Sequence, residues 1–298
     1  MSFVKYRKIY FIISGALVIA SIASLFIFGL KPGIEFTGGS ILELEFESQR
    51  PSHQEIREVL APFNLQETIQ STGEKGVIIK MRHISEDEYL RVVEAIDGKA
   101  KIIKERTGFQ AIGPTIGREL KQKTRVVMVL SLIAILLYVA FAFRRVSYPV
   151  KSWQYGIAAI VALFHDVLIP LGVFSVLGSF YNIQITIPIV TALLTIFGYS
   201  INDTVVVFDR IRENLLKRVD PSFEVVVDKS LKQTLGRSIN TSFTTLIVLF
   251  AIFFFGGETL KNFSLALIIG IIAGTYSSIF LASQLLVSWY RSKHKVVS

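Results

Sequence analysis

The sequence predicts a polytopic α-helical membrane protein: six transmembrane helices, with an α+β ferredoxin-like domain inserted between helices 1 and 2. Three observations predict it. Six apolar stretches, at about 9–29, 126–143, 154–178, 183–207, 235–256 and 263–289, each reach the roughly 20 residues a helix needs to cross the hydrocarbon layer. These runs are too long and continuous for barrel strands, which leaves helices as the way across. Between the first two, residues 31–123 carry short amphipathic patterns of both periods, two and 3.6. The composition agrees, with 51% hydrophobic residues and a mean hydropathy of +0.53, well above soluble domains.

The first apolar run is long for a cleaved leader, and no A-x-A-like site follows it, so it is expected to remain as a span. The chain therefore divides into 1–30 (N-terminus and helix 1), 31–123 (inserted domain) and 124–298 (helices 2–6). Basic residues orient it. Lys5, Arg7 and Lys8; Arg144, Arg145 and Lys151; Arg210, Arg212, Lys217, Arg218, Lys229, Lys232 and Arg237; and Arg291, Lys293 and Lys295 all fall on one side of six crossings. The short opposite loops, 178–184 and 256–262, contain only Lys261. Both termini are then cytoplasmic, and 31–123 lies on the opposite, extracytoplasmic side. That segment has 14 basic and 15 acidic residues, so the net charge of +9 belongs to the cytoplasmic rim. Anionic lipid of the bilayer, and no nucleic acid, is the partner this predicts. With no cysteine there is no disulfide, thiolate metal site or cysteine nucleophile.

In the inserted domain, 41–47 alternates Leu42, Leu44 and Phe46 against Glu43, Glu45 and Glu47, a half-buried strand. Residues 52–63 open with a capping box, Ser52 and Glu55, and place Ile56, Val59, Leu60 and Phe63 at helical spacing. Residues 67–72 and 76–82 read as a hairpin around Gly73 and Gly76. A second helix, 85–98, is capped by Ser85 and Glu88 and ended by Gly98. Residues 101–106 complete a β-α-β-β-α-β order. His53 and His83 sit in charged surface stretches, so no metal site is expected.

Charges inside spans are costly, about 2.5–3.5 kcal/mol each on insertion scales, which marks each as a functional candidate. Asp203 lies six residues before Asp209, roughly 9 Å inside the cytoplasmic end at ~1.5 Å per residue. Tyr199 and Ser200 share its helix face, and Asn202 adjoins it. Arg237 begins the fifth span, with Ser238, Asn240, Thr241 and Ser242 after it. Helices 4 and 5 run antiparallel, so Asp203 and Arg237 reach similar depths and can pair. Three readings stand: a movable proton site, a static structural pair, or an Asp203 that simply reaches towards water. His165 and Asp166 lie near the middle of the third span and offer either a secondary relay or helix-to-helix hydrogen bonds. Gly270 and Gly274 form a G-x-x-x-G packing face, and Pro170 and Pro188 are expected to kink helices 3 and 4.

Three stretches then carry a family resemblance: GIEFTGG (33–39), GPTIGREL (113–120) and GYSINDTVVVFDRIREN (198–214). A fourth, QTLGRSINTSFTT (233–245), supports them. Over essentially its whole length the chain resembles the SecF family of bacterial protein-export membrane subunits. The family usually has aspartate where this chain has Glu35. The resemblance implies a partner, SecD, in a heterodimer resembling the resistance-nodulation-division transporters. It further implies association with the SecYEG channel and help for exported precursor proteins late in translocation, with protons as the coupling ion and no other cofactor. By the same resemblance Asp203 and Arg237 are the proton-relay residues. Gly33, Glu35, Gly38, Gly39, Gly113, Pro114 and Gly117 are then structural motif positions.

Other classes fit less well. Gly198–Ser200 matches a loose intramembrane-protease G-x-S, but Ile201 stands where glycine is needed. No G-x-G-D and no phosphate-binding loop occur, so the chain is not expected to be an enzyme. A proton-driven small-molecule exporter would need a substrate cavity in a domain of only about 90 residues. A purely structural assembly subunit is the third reading.

Overall fold

The computed structural model describes residues 3–142 and 149–294. Arg144, Arg145 and Lys295, counted in the charge asymmetry, lie outside these residues. Among the described residues, six helices are long and apolar enough to span a bilayer. They are α1 (Arg7–Phe28), α5 (Pro114–Ala142), α6 (Ser152–Tyr181), α7 (Ile187–Leu216) and α8 (Phe223–Phe255), with α9 (Glu258–Ser277) and α10 (Ser283–His294) forming the sixth. A π-helical turn, Ser278–Ala282, joins α9 to α10. The chain forms two compact units, Pro32–Val126 and the remainder.

The Pro32–Val126 unit contains a short helix α2 (Ile34–Thr37), helices α3 (His53–Leu60) and α4 (Glu86–Lys99), and four strands. These are β1 (Gly39–Glu45), β2 (Thr68–Thr72), β3 (Gly76–Met81) and β4 (Gly108–Ile112). The sheet order is β2-β3-β1-β4, with antiparallel pairing throughout, the arrangement expected of the split β-α-β fold. Alternation on β1 buries Leu42 and Leu44, and beyond the strand Phe46, against Ile56, Leu60, Val92 and Ile96 of the helices.

Ser52 and Glu55 form the full capping box. The second cap is half of one. Ser85 accepts the N–H of Glu88, but the Glu88 carboxylate turns to Arg82 instead. Gly98 does not end α4, which continues to Lys99, with the Ala100 N–H still bonded to the Ile96 carbonyl.

The last strand also differs from the sequence expectation. Residues 101–106 supply only a single bridge, Ile102 to Phe46. A 3-10 turn, Lys104–Arg106, then bulges out, and pairing resumes at Gly108 opposite Glu43. Consecutive charges at Lys104, Glu105 and Arg106 favour this solvated excursion over a half-buried strand.

The glycine motifs at 33–39 and 113–120 meet within this unit. Gly38 has φ +76 and Gly39 φ +145. A Cβ on Gly38 would lie 2.9 Å from the Cα of Pro114, and one on Gly117 would lie 2.8 Å from the Gly38 nitrogen. Backbone thus packs on backbone, which only glycine permits here. Gly33 caps α2. Gly113 has open space where a Cβ would stand, and Glu35 keeps one buried carboxylate oxygen without a hydrogen bond.

Within the membrane unit, α1 is built inside out relative to a helix of a soluble bundle. On α1 the buried residues are Ser14, Ser21 and Ser24, while Ile12, Ile19 and Phe26 are exposed. Small residues let α1 approach α6, where a Cβ on Gly172 would meet Ser21 at 2.6 Å. Ser24 donates to the Gly172 carbonyl at 3.1 Å, and Ser175 donates to the Ser24 carbonyl at 2.8 Å. Pro170 lies within continuous α6. Pro188 is in the first turn of α7, so it starts that helix and does not kink it.

Candidate functional site

Helix α6 puts Asp166 at the centre of the membrane unit, with no exposed surface. His165 Nδ1 lies 2.8 Å from its Oδ1. Ser200 of α7 donates to Oδ2 at 2.5 Å, and Ser277 of α9 donates to the same oxygen at 2.7 Å. Gly274 makes room for this meeting. A Cβ there would stand 3.3 Å from the Ser200 Cβ and 3.5 Å from Asp166 Oδ2. Gly270, one turn earlier, packs directly on Ile196. Pro170 lacks an N–H, so the Asp166 carbonyl also loses its usual helix partner.

The polar contacts continue on both sides. Ser278, the first residue of the π turn, shares a hydrogen bond of 2.8 Å with Thr204 of α7. Adjacent serines of the sixth span thereby serve two different helices. Such π turns recur at functional positions in helices. On the other face of His165, the ring of Tyr276 lies 6.0 Å away, nearly parallel. Its hydroxyl donates to the Tyr10 carbonyl at 3.1 Å. His165 Nε2 is buried without a hydrogen-bond partner among the described residues.

Asp203 stands one helical turn beyond Ser200. Its Oδ1 accepts the hydroxyl of Ser238 on α8 at 2.6 Å, and its Oδ2 is buried with no hydrogen bond to it among the described residues. Arg237 is exposed and makes no ion pair among the described residues. Neighbouring helix residues point about 100° apart, so the face that brings Ser238 to Asp203 turns Arg237 outward. Asn202, Asn240 and Thr241 are likewise exposed. Thr241 Oγ1 donates to the Arg237 carbonyl within its own helix. Tyr199 donates to Ser242, which bonds Thr275 at 2.6 Å.

The structure therefore gathers Asp203, Asp166, His165 and Ser200, and leaves Arg237, Asn202, Asn240 and Thr241 outside the gathering. Ser238, Ser277, Ser278 and Thr204 are members that sequence reasoning did not assign. The signal for Ser277 and Ser278 was their position one turn after Gly274, where close helix approach puts hydroxyls within reach of α6 and α7.

A family model described as protein export membrane protein SecD/SecF, C-terminal, matches residues 92–292, and the SecD/SecF GG motif matches residues 23–49. The chain belongs to the SecD/SecF family. Its SecF relatives include the protein translocase subunit SecF of Thermobaculum terrenum, 43% identical over 96% of this chain and 93% of that one. The SecF of Desulfurispirillum indicum is 39% identical over 96% and 91%. Among solved structures, SecDF of Thermus thermophilus, described as a translocon-associated membrane protein, superposes with a TM-score of 0.84 at 33% identity. That match takes in 98% of this chain and 39% of the SecDF chain. SecDF thus spans much more than this SecF-like chain.

Proposed function

We propose that this chain is a SecF subunit of the bacterial protein-export machinery. It pairs with SecD and uses the proton motive force to assist precursor proteins through the SecYEG channel. Family membership supports the assignment. The single observation that carries the mechanism is the placing of one buried carboxylate, Asp166, and one half-buried carboxylate, Asp203, where α6, α7, α8 and the sixth span meet.

The need for a partner has a physical basis in this chain. Helix α5 turns Leu130, Ile133 and Leu137 outward, and Arg237 of α8 is exposed and forms no ion pair among the described residues. Lipid suits the first, and a facing SecD helix suits both. The basic side of the membrane unit is cytoplasmic, with both termini, and the α+β domain is periplasmic.

In this reading a proton arriving at Asp203 changes what the carboxyl asks of its neighbours. As a carboxylate it accepts from Ser238, and as an acid it donates. That exchange alters the α7–α8 contact, and a packed helix interface answers in steps rather than by smooth deformation. Each charge crossing the membrane supplies about 2.3 kcal/mol per 100 mV, enough to bias two conformations of similar energy. The work is conformational, with no covalent step.

Export into membrane vesicles containing this chain, SecD and the channel tests the reading. With Asp203→Asn, the part of export that depends on an imposed proton gradient should vanish while assembly stays normal. Full retention of the gradient response would make Asp203 structural.

A further inference from the structure

A second polar feature lies far along the membrane unit from the carboxylates. A cavity of about 510 Å³ opens between the residues leading into α1, the start of α8 and Arg291 of α10. Its lining includes Lys5, Arg7, Lys8, Lys229, Lys232 and Arg291, against only two carboxylates, Glu224 and Asp228.

Both carboxylates are already engaged. Glu224 holds Arg291. Asp228 Oδ1 accepts the backbone N–H groups of Phe3 and Val4 at 2.6 and 3.2 Å, and its Oδ2 lies 3.6 Å from Lys232. Lys229 reaches Asp220 at 3.3 Å. Lys5, Arg7 and Lys8 then have no ion-pair partner among the described residues. Arg7 also carries a buried Nη1 with no hydrogen bond among the described residues. A buried guanidinium donor without an acceptor is costly, and an anionic oxygen is what satisfies it best.

We propose that this cavity binds the phosphate of an anionic phospholipid headgroup. The neighbouring surface favours a lipid. Directly after Lys8, α1 presents Ile9, Ile12 and Ile13 outward, 50%, 69% and 43% exposed. One helical turn, about 5.4 Å, thus separates the cations from an acyl-chain surface, which is the layout of a headgroup above its chains. The bound phosphate would sit between the chain's N-terminal segment, which Asp228 already ties to α8, and α8 itself.

The test uses the full chain, purified in a neutral detergent and stripped of lipid. Phosphatidylglycerol, phosphatidylcholine and glycerol 3-phosphate are each added, with retention read by native mass spectrometry and stability by the melting midpoint. Phosphatidylglycerol should be retained and should raise the midpoint, and the other two should do neither. Arg7→Gln with Lys8→Gln should weaken retention about tenfold, and Arg7→Lys should largely restore it. Should the Arg7 variant fail to fold, Lys5→Gln with Lys8→Gln carries the same test, since both side chains are exposed. Equal retention of phosphatidylcholine, equal stabilisation by glycerol 3-phosphate, or unchanged retention in folded variants would each overturn the proposal.

Discussion

Ser238 donates its hydroxyl to Asp203 across the α7–α8 contact at 2.6 Å, while Arg237, the preceding residue, is exposed and forms no ion pair among the described residues. The carboxylate is therefore held by a neutral donor within this chain. Ser238→Ala removes the hydrogen bond that Ser238 makes to that carboxyl. A hydrogen bond to a charged group contributes about 1.5–3 kcal/mol, so gradient-dependent export should fall roughly tenfold or more. Arg237→Gln should leave the melting midpoint of the isolated chain unchanged, since it breaks no ion pair among the described residues. If Arg237→Gln lowers the midpoint as much as Ser238→Ala, the arginine does hold the carboxylate.

The Asp166 cluster makes a different prediction, about coupling. Ser200 and Ser277 reach one oxygen from two helices. Hydrogen bonds between membrane helices average about 0.6 kcal/mol and reach about 1.7. Ser200→Ala and Ser277→Ala should each cost that order. Together they should depart from additivity by about 0.5 kcal/mol or more, because they share an acceptor. Unfolding of the four proteins of this cycle in mixed micelles measures it, and strict additivity would show that the two hydroxyls act independently.

How far the sequence foretold these relations depended on the kind of signal. Long apolar runs gave all six spans, because the bilayer fixes a minimum length that few other structures need. Strand alternation at 41–47 and the Ser52–Glu55 box gave β1 and α3, because both are local. The fourth strand was misplaced because its pairing with β1 is long-range, and the bulge at 104–106 hides the register. Asp203 and Asp166 were legible as charges out of place. The Asp203–Arg237 pairing could not be settled, because depth along a helix follows from counting residues, whereas the direction a side chain takes depends on the helix's rotation in the bundle. Ser277 and Ser278 were unremarkable as residue types. They matter because the π turn and Gly274 place them against two helices at once.

The glycine pair at 38 and 117 predicts a steric effect. Gly38 combines φ +76 with ψ 157, a region other residues scarcely occupy, and it faces Pro114. Gly117 faces the Gly38 nitrogen. Gly117→Ala should overpack this contact at a cost of about 1–3 kcal/mol, and Gly38→Ala should cost more by adding backbone strain. Chemical denaturation of the full chain, followed at Tyr89 where it stacks on Phe109 at 4.2 Å, measures both. A Gly117→Ala variant as stable as the parent would mean that the start of α5 can shift freely.

The α+β domain should also lose stability in acid, through two half-buried carboxylates. Glu55 is held below the usual range by the Ser52 backbone N–H and hydroxyl, each at 2.8 Å. Asp97 is held low by Lys101 at 2.7 Å and by the Ile102 N–H at 3.1 Å. A carboxyl whose folded pKa is depressed contributes stability that is present above its unfolded value, about 4.3 for Glu and 3.9 for Asp. That contribution is lost as pH falls through the folded value. Lys101 is shifted up by the same pair, so its share persists in acid until Asp97 itself is protonated. The domain's melting midpoint should therefore hold steady near neutrality and drop below about pH 5. Glu55→Gln and Asp97→Asn should lower the neutral-pH midpoint and flatten that drop. Methyl resonances of Ile56 and Ile96, in selectively labelled full chain, report the domain's melting separately from the membrane helices. An acid limb just as steep in the double variant would place the titrating groups elsewhere in the domain.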